Sequence, residues 1–215
     1  MERALVYLRI FPGTEAEFDR LHAALPPELQ DAIRDAGMRN VTGFRRGTDV
    51  WFYAEAAPDR ATAFAKLASS PVVVDWSRRL ATVIAERADA GGRPLLYEQI
   101  FHTDGGAPAG PMSRGLFALV VAPDRIGYYE QLHAEPWPDM IAAIAAAGYR
   151  DYSGFRRGNQ VVYFGEYHPD IDTVAARIAT TEVNARWGKA FEGVITTINT
   201  ADGKLITGHE IYHQD

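Results

Sequence analysis

The chain switches between two hydrophobic periods. Arg3 to Phe11 is a short apolar run rich in strand formers and ends at Pro12-Gly13, which predicts a strand closed by a turn. The period then lengthens, with Phe18, Leu21, Leu25, Leu29 and Ile33 recurring at helical spacing. Pro27 predicts a restart of that helix, because the first helical position has no use for its missing N–H. Gly37 predicts the C-terminal cap. A hairpin follows, Asn40 to Arg46 and Val50 to Ala56, joined at Gly47-Thr48-Asp49. A second helical region over about 60–88 and a last strand over about 95–102 complete a βαββαβ unit.

The whole pattern then recurs. Displacing the chain by 111 positions lays Leu21-His22-Ala23 on Leu132-His133-Ala134 and Gly43-Phe44-Arg45-Arg46-Gly47 on Gly154-Phe155-Arg156-Arg157-Gly158. The same gap-free register matches Glu55 with Glu166, Trp76 with Trp187 and Ile100-x-His102 with Ile211-x-His213, and about a third of the pairs over residues 3–104 are identical. The second copy predicts a strand from Arg114 to Ala122, a helix with Tyr129, Leu132, Ile141 and Ile144 on its apolar face and a restart at Pro138, and a cap at Gly148. It further predicts a hairpin through Gly158-Asn159-Gln160, a helical region over about 171–199 and a strand over about 206–213. The expected division is a first repeat at 1–104, a Gly/Pro/Ala linker at 105–112 and a second repeat at 113–215.

A ferredoxin-like unit covers one sheet face with helices and leaves the other to be buried. Two such units in one chain can bury those faces together, so the expected fold is α+β, two βαββαβ repeats forming an intramolecular pseudo-twofold barrel. Two independently solvated domains are the alternative.

The chain has 215 residues, 47% of them hydrophobic, 22 basic against 28 acidic side chains, and no cysteine. Disulfides, thiolate metal sites and a Cys nucleophile are excluded. A net charge of −6 argues against a nucleic-acid partner. No window approaches the roughly 20 apolar residues of a membrane span, and the short apolar stretch near the N-terminus is bounded by arginines, unlike a signal peptide. The expectation is a cytoplasmic protein with no membrane partner. His102, His168, His209 and His213 show no ligand spacing backed by carboxylates, so no metal is expected.

Candidate chemistry centres on His133 and His22. Residues four apart share a helix face, so Tyr129, His133 and Trp137 form a stripe of phenol, imidazole and indole; Phe18, His22 and Pro26 stand at the same places in the first repeat. An imidazole beside a phenol can move protons near neutral pH.

Tyr129-x3-His133-x3-Trp137-Pro138-Asp139-Met140, then Gly148-Tyr149-Arg150-Asp151-Tyr152-Ser153-Gly154-Phe155, an apolar strand ending in Glu166 and the pair Arg186-Trp187 together resemble the L-rhamnose mutarotases. In their pattern a Tyr-x3-His helix precedes Trp-Pro-Glu, a Gly, an Asn-Tyr strand and a Trp-Trp helix. The resemblance spans about 100 residues twice. It implies an α+β barrel, normally made by two subunits, that interconverts sugar anomers by general acid–base catalysis without metal or organic cofactor. Carried over, the family's histidine falls on His133 and His22, its tyrosines on Tyr129 and Tyr152, and the first Trp of the pair on Trp187 and Trp76. The second Trp is replaced by Gly188 and Ser77, and the strand tyrosine by Val41 in the first half. The second repeat is therefore expected to carry the activity, acting on a hexose or deoxyhexose.

If Tyr152 faces the barrel interior, alternation puts Arg156 on the same face and Phe155 against the helices, with Arg45 equivalent to Arg156. An inward arginine must meet an anion or a carboxylate such as Glu166 or Glu55. Trp137, Trp187, Trp76, Arg156, Arg45 and Glu166 are thus the expected substrate contacts, although Trp187 and Trp76 read equally well as core aromatics. The expected partner is a small sugar, polyoxygenated or aromatic molecule, and the expected assembly a monomeric pseudo-dimer, with a further homodimer as the alternative. Two other functions fit the same fold: a cofactor-free cyclase, isomerase or monooxygenase on aromatic polyketide-like compounds, and a non-catalytic ligand-binding barrel.

Overall fold

The computed structural model describes residues 1–107, 110–198 and 205–215. The first repeat runs β1 (Glu2–Ile10), α1 (Glu15–Ala23), α2 (Pro27–Asp35), β2 (Met38–Arg46), β3 (Asp49–Ala56), α3 (Arg60–Ser69), α4 (Pro71–Arg79), β4 (Ile84–Glu86) and β5 (Leu95–Gly105). The second runs β6 (Ser113–Val121), α5 (Ile126–Ala134), α6 (Pro138–Ala147), β7 (Tyr149–Arg157), β8 (Gln160–Tyr167), α7 (Ile171–Ala179), α8 (Glu182–Ala190), β9 (Ile195–Thr197) and β10 (Ile206–Gln214). The α+β class and the repeated βαββαβ order follow the sequence pattern.

Local chemistry sets the boundaries. Pro27, Pro71 and Pro138 each open a helix, where the missing N–H costs nothing. Asp59 and Asp170 cap α3 and α7 by accepting the N–H of Thr62 and Thr173, both at 2.8 Å. Gly148 closes α6 with φ 109°, a left-handed conformation that glycine adopts without a Cβ penalty. Two expectations need correction. Each second helical region divides into two helices and then gives a three-residue strand, β4 or β9, because Ser70-Pro71 and Thr181 start new helices. The supposed linker gives up Gly105 to β5; its Pro108-Ala109, like residue 199 at the end of the second helical region, lies outside the described residues.

The chain divides into two compact units, residues 1–97 with 209–215, and residues 98–208. In unit one the antiparallel order is His209–Gln214 of β10, then β2, β3, β1 and Leu95–Tyr97 of β5, with β4 also on β1. In unit two it is Glu98–Gly105 of β5, then β7, β8, β6 and Ile206–Gly208 of β10, with β9 on β6. The closing strand of each repeat therefore starts in its own unit and finishes beside the other repeat's hairpin. Through this exchange Phe101, a first-repeat residue, joins the core of unit two with Leu119, Tyr129, Val161, Tyr163 and Val174. Unit one buries Ile10, Phe18, Val50, Leu80 and Val83, and separately Met38, Val41, Ala54, Ala56 and Ala63. Among the described residues no helix is long and apolar enough to cross a membrane.

Candidate active site

Unit two contains a cavity of about 680 Å³ under its helices, walled by α5 to α8 and by strands β5 to β8. Its polar centre begins on α5, where four-residue spacing puts Tyr129 and His133 on one buried face with their rings stacked 4.3 Å apart. His133 Nδ1 lies 2.8 Å from the carbonyl oxygen of Tyr129. A carbonyl only accepts, so Nδ1 carries the proton and Nε2 is the bare, basic nitrogen. Tyr163 on β8 therefore donates its hydroxyl to Nε2 across 2.7 Å, and Tyr129 donates to the Tyr163 oxygen across 2.7 Å. Every proton in the chain Tyr129–Tyr163–His133 is placed by this logic. Burial pushes the imidazole down to about 4, opposed by its bond to the Tyr129 carbonyl, so His133 is neutral at physiological pH. Burial holds the phenols of Tyr129 and Tyr163 above the usual range, and both stay protonated.

Further phenols continue this wall. Tyr152 stacks on Tyr163 at 5.1 Å, and Tyr149 packs against Tyr152 at 4.8 Å. Their hydroxyls make no hydrogen bond to another described residue, and Tyr167, packed on Tyr149 at 5.3 Å, has a buried hydroxyl without a partner. Room for the Tyr152 ring comes from β7, where a bulge between Arg150 and Ser153 carries Asp151 at φ 44°, and from Gly165, whose missing Cβ would lie 3.0 Å from the ring.

The remaining predicted residues fall as follows. Trp187 lines the cavity edge-on to His133 at 5.6 Å. Trp137 is behind it, packed edge-on to Trp187 at 5.1 Å under the Arg186 guanidinium, and is not itself a wall residue. Arg156 and Arg45 do not meet Glu166 or Glu55, and this pairing is corrected. Arg45 holds Asp19 bidentately at 2.6 and 2.7 Å, and Arg156 holds Glu130 at the equivalent place, so each ties its strand to α1 or α5. Neither they nor Glu166 line the cavity; Glu166 faces Arg150 at 3.7 Å, and Glu55 accepts from Tyr53 at 3.1 Å. The face assignment is also corrected. Tyr152 shares a cavity with helix residues, so its face is the helix-covered one, and the fully buried Phe155 lies on the other.

In unit one His22 repeats the imidazole geometry, with Nδ1 2.8 Å from the Phe18 carbonyl, its ring 5.9 Å from Trp76, and its basicity lowered by burial. The phenols are absent. Phe18, Met38, Val41, Phe52 and Ala56 stand where the second repeat has Tyr129, Tyr149, Tyr152, Tyr163 and Tyr167. These five added phenols are the signal by which Tyr163, missed in the sequence reading, is legible: four lie in the buried core of unit two and Tyr152 packs against it. A separate polar cluster, His102, Asp104 and Asp151, brings its ligand atoms within 4.8 Å of one another outside the cavity wall, with His102 bonded to Asp104 and Ser153. Spacing along the chain hides it, because it joins strands of both repeats.

Known proteins agree with this two-copy organisation. One similar protein is the L-rhamnose mutarotase of Oceanobacillus iheyensis, 33% identical over 107 residues, 48% of this chain and 100% of the relative. Another is that of Burkholderia orbicola, 31% identical over 106 residues, again 48% and 100%. Each relative is thus matched by half of this chain. Among solved structures, a putative monooxygenase from Lactobacillus acidophilus aligns with TM-score 0.61 at 9% identity, over 99% of this chain and 94% of its own. One from Fusobacterium nucleatum aligns with TM-score 0.56 at 9% identity over 99% and 93%. At such identity the likeness is one of fold. The L-rhamnose mutarotase family pattern itself matches twice, over residues 3–103 and 114–214, so the chain belongs to the L-rhamnose mutarotase family as a tandem pair.

Proposed function

We propose that unit two interconverts the anomers of a hexose or deoxyhexose, with its own side chains as the only catalysts. The observation that carries this reading is the hydrogen-bonded chain from Tyr129 through Tyr163 to the bare Nε2 of His133, set in a cavity large enough for a sugar. Mutarotation must take the proton from the anomeric hydroxyl and give one to the ring oxygen. The anomeric proton passes to the Tyr163 oxygen as the Tyr163 proton passes to His133 Nε2. The C1–O5 bond breaks, C1 becomes a carbonyl, and O5 takes a proton from the phenol of Tyr152. Rotation about C1–C2 and reversal of the same transfers close the ring in the other configuration. The imidazolium and phenolate formed midway neutralise each other within the cavity. Trp187, edge-on to His133, offers an apolar plate to the sugar.

Each general acid or base of this kind is worth about 10²–10⁴-fold. Anomer-exchange NMR on a panel of hexoses and 6-deoxyhexoses tests the reading, with His133→Ala and His22→Ala compared side by side. Exchange is expected to fall in the first variant and to survive in the second. Absence of acceleration on every sugar, or equal losses in both variants, would contradict it.

A further inference from the structure

The cavity of unit two is chemically two-sided. Its phenols and imidazole sit on α5 and the sheet, His133, Tyr129, Tyr163, Tyr149 and Tyr152, while Asn184 of α8 and Glu192 just beyond it add polar groups on the α8 side. The part of the wall from α6 and α7 is aliphatic, made by Met140, Ile141, Ile144, Ile171, Ala175 and Ile178. A free hexose carries hydroxyls around its whole ring, and those turned to this wall would lose water without gaining a partner, each at a real cost. The volume of about 680 Å³ also falls within the roughly 300–1,000 Å³ of sites that enclose drug-sized ligands, well beyond a single pyranose ring.

Gly188 points the same way. It borders the cavity from α8, its φ is not left-handed, and a Cβ there would meet no described atom within 4 Å. Neither a turn nor close packing requires a bare backbone, and glycine is a poor helix residue. Gly188 is exposed, so what the glycine leaves is open space at the cavity's rim beside Trp187.

Resting on the mutarotase reading, we infer that the preferred substrate is a reducing sugar bearing an apolar substituent away from C1. The anomeric end meets the His133 chain and the substituent lies on the α6–α7 wall. The anomeric hydroxyl must stay free for the reaction, so the substituent belongs on the far side of the ring, at C4.

The test compares L-rhamnose with its 4-O-benzyl ether by anomer-exchange NMR, as a ratio of kcat/KM. The wild-type protein is expected to favour the ether by roughly 10- to 200-fold, the range that a small apolar group earns in a fitting pocket. Ala175→Phe, which fills the aliphatic wall, and Gly188→Leu, which fills the space on α8, are each expected to collapse that ratio, with thermal melts reporting whether they fold. Direct titration of both sugars by quenching of tryptophan fluorescence in the wild-type protein gives the same comparison without any variant, and tighter binding of the ether is expected. Exchange of L-rhamnose with no preference for the ether overturns this inference and leaves the mutarotase reading standing. No exchange of either sugar takes down both.

Discussion

Replacing Tyr163 by phenylalanine removes one oxygen and keeps the ring that stacks on Phe117 at 5.2 Å and Tyr152 at 5.1 Å. The packing loss is therefore small, and the change isolates two hydrogen bonds of 2.7 Å, to Tyr129 and to His133 Nε2. Both partners are buried, Tyr129 at 1% and His133 at 8% exposure, so each is left unsatisfied. A stranded buried donor or acceptor costs about 1–3 kcal/mol, so the two together cost about 2–6 kcal/mol. For a chain of this size a loss of that order lowers Tm by about 2–4 °C per kcal/mol. Activity should respond far more. With the hydroxyl gone, the proton path from the anomeric oxygen to Nε2 is broken, and exchange is expected to drop by about 10²–10⁴-fold. Anomer-exchange NMR and thermal melts on the same preparation read both numbers. Undiminished exchange with a lowered Tm would refute the proton path and leave Tyr163 a purely structural residue.

Two further outcomes follow from the electrostatics. His133 falls from an ordinary 6.5 to about 4 on folding, so the unfolded chain binds its proton at the higher pH. The stabilising contribution is complete above about pH 6.5 and is lost as pH falls towards 4, by about 3 kcal/mol; His22 acts in the same direction. Denaturant melts across that window should show the fall, His133→Asn should flatten it, and an unchanged slope in that variant would contradict the assignment. In unit one, a double-mutant cycle on Arg45 and Asp19, a bidentate pair with side chains 12% and 31% exposed, should give a coupling of about 1 kcal/mol that weakens in high salt. A coupling indistinguishable from zero would show that the pair does not tie β2 to α1.

The sequence alone determined the number of repeats, the order of their elements and the helix that carries the candidate histidine. These are local matters: a switch of hydrophobic period, a proline that can only open a helix, a glycine at a left-handed cap, and a gap-free internal register. It also made one half richer in chemistry than the other, since five phenols of the second repeat face Phe, Met, Val, Phe and Ala in the first. Strand alternation correctly grouped Tyr152 with Arg156, but period two says only that a strand has two faces. It does not say which face the helices cover, and that choice decided where the cavity lies. Arg156 found Glu130 rather than Glu166 because the strand end runs past α5, a distance no spacing along the chain expresses. The bridge at Tyr163 and the delivery of Phe101 from the first repeat's closing strand are likewise contacts between segments distant in sequence. They exist only once the sheet has been assembled and each closing strand has crossed to the other repeat's hairpin, because hydrogen-bond partners are set by register between strands and not by order along one.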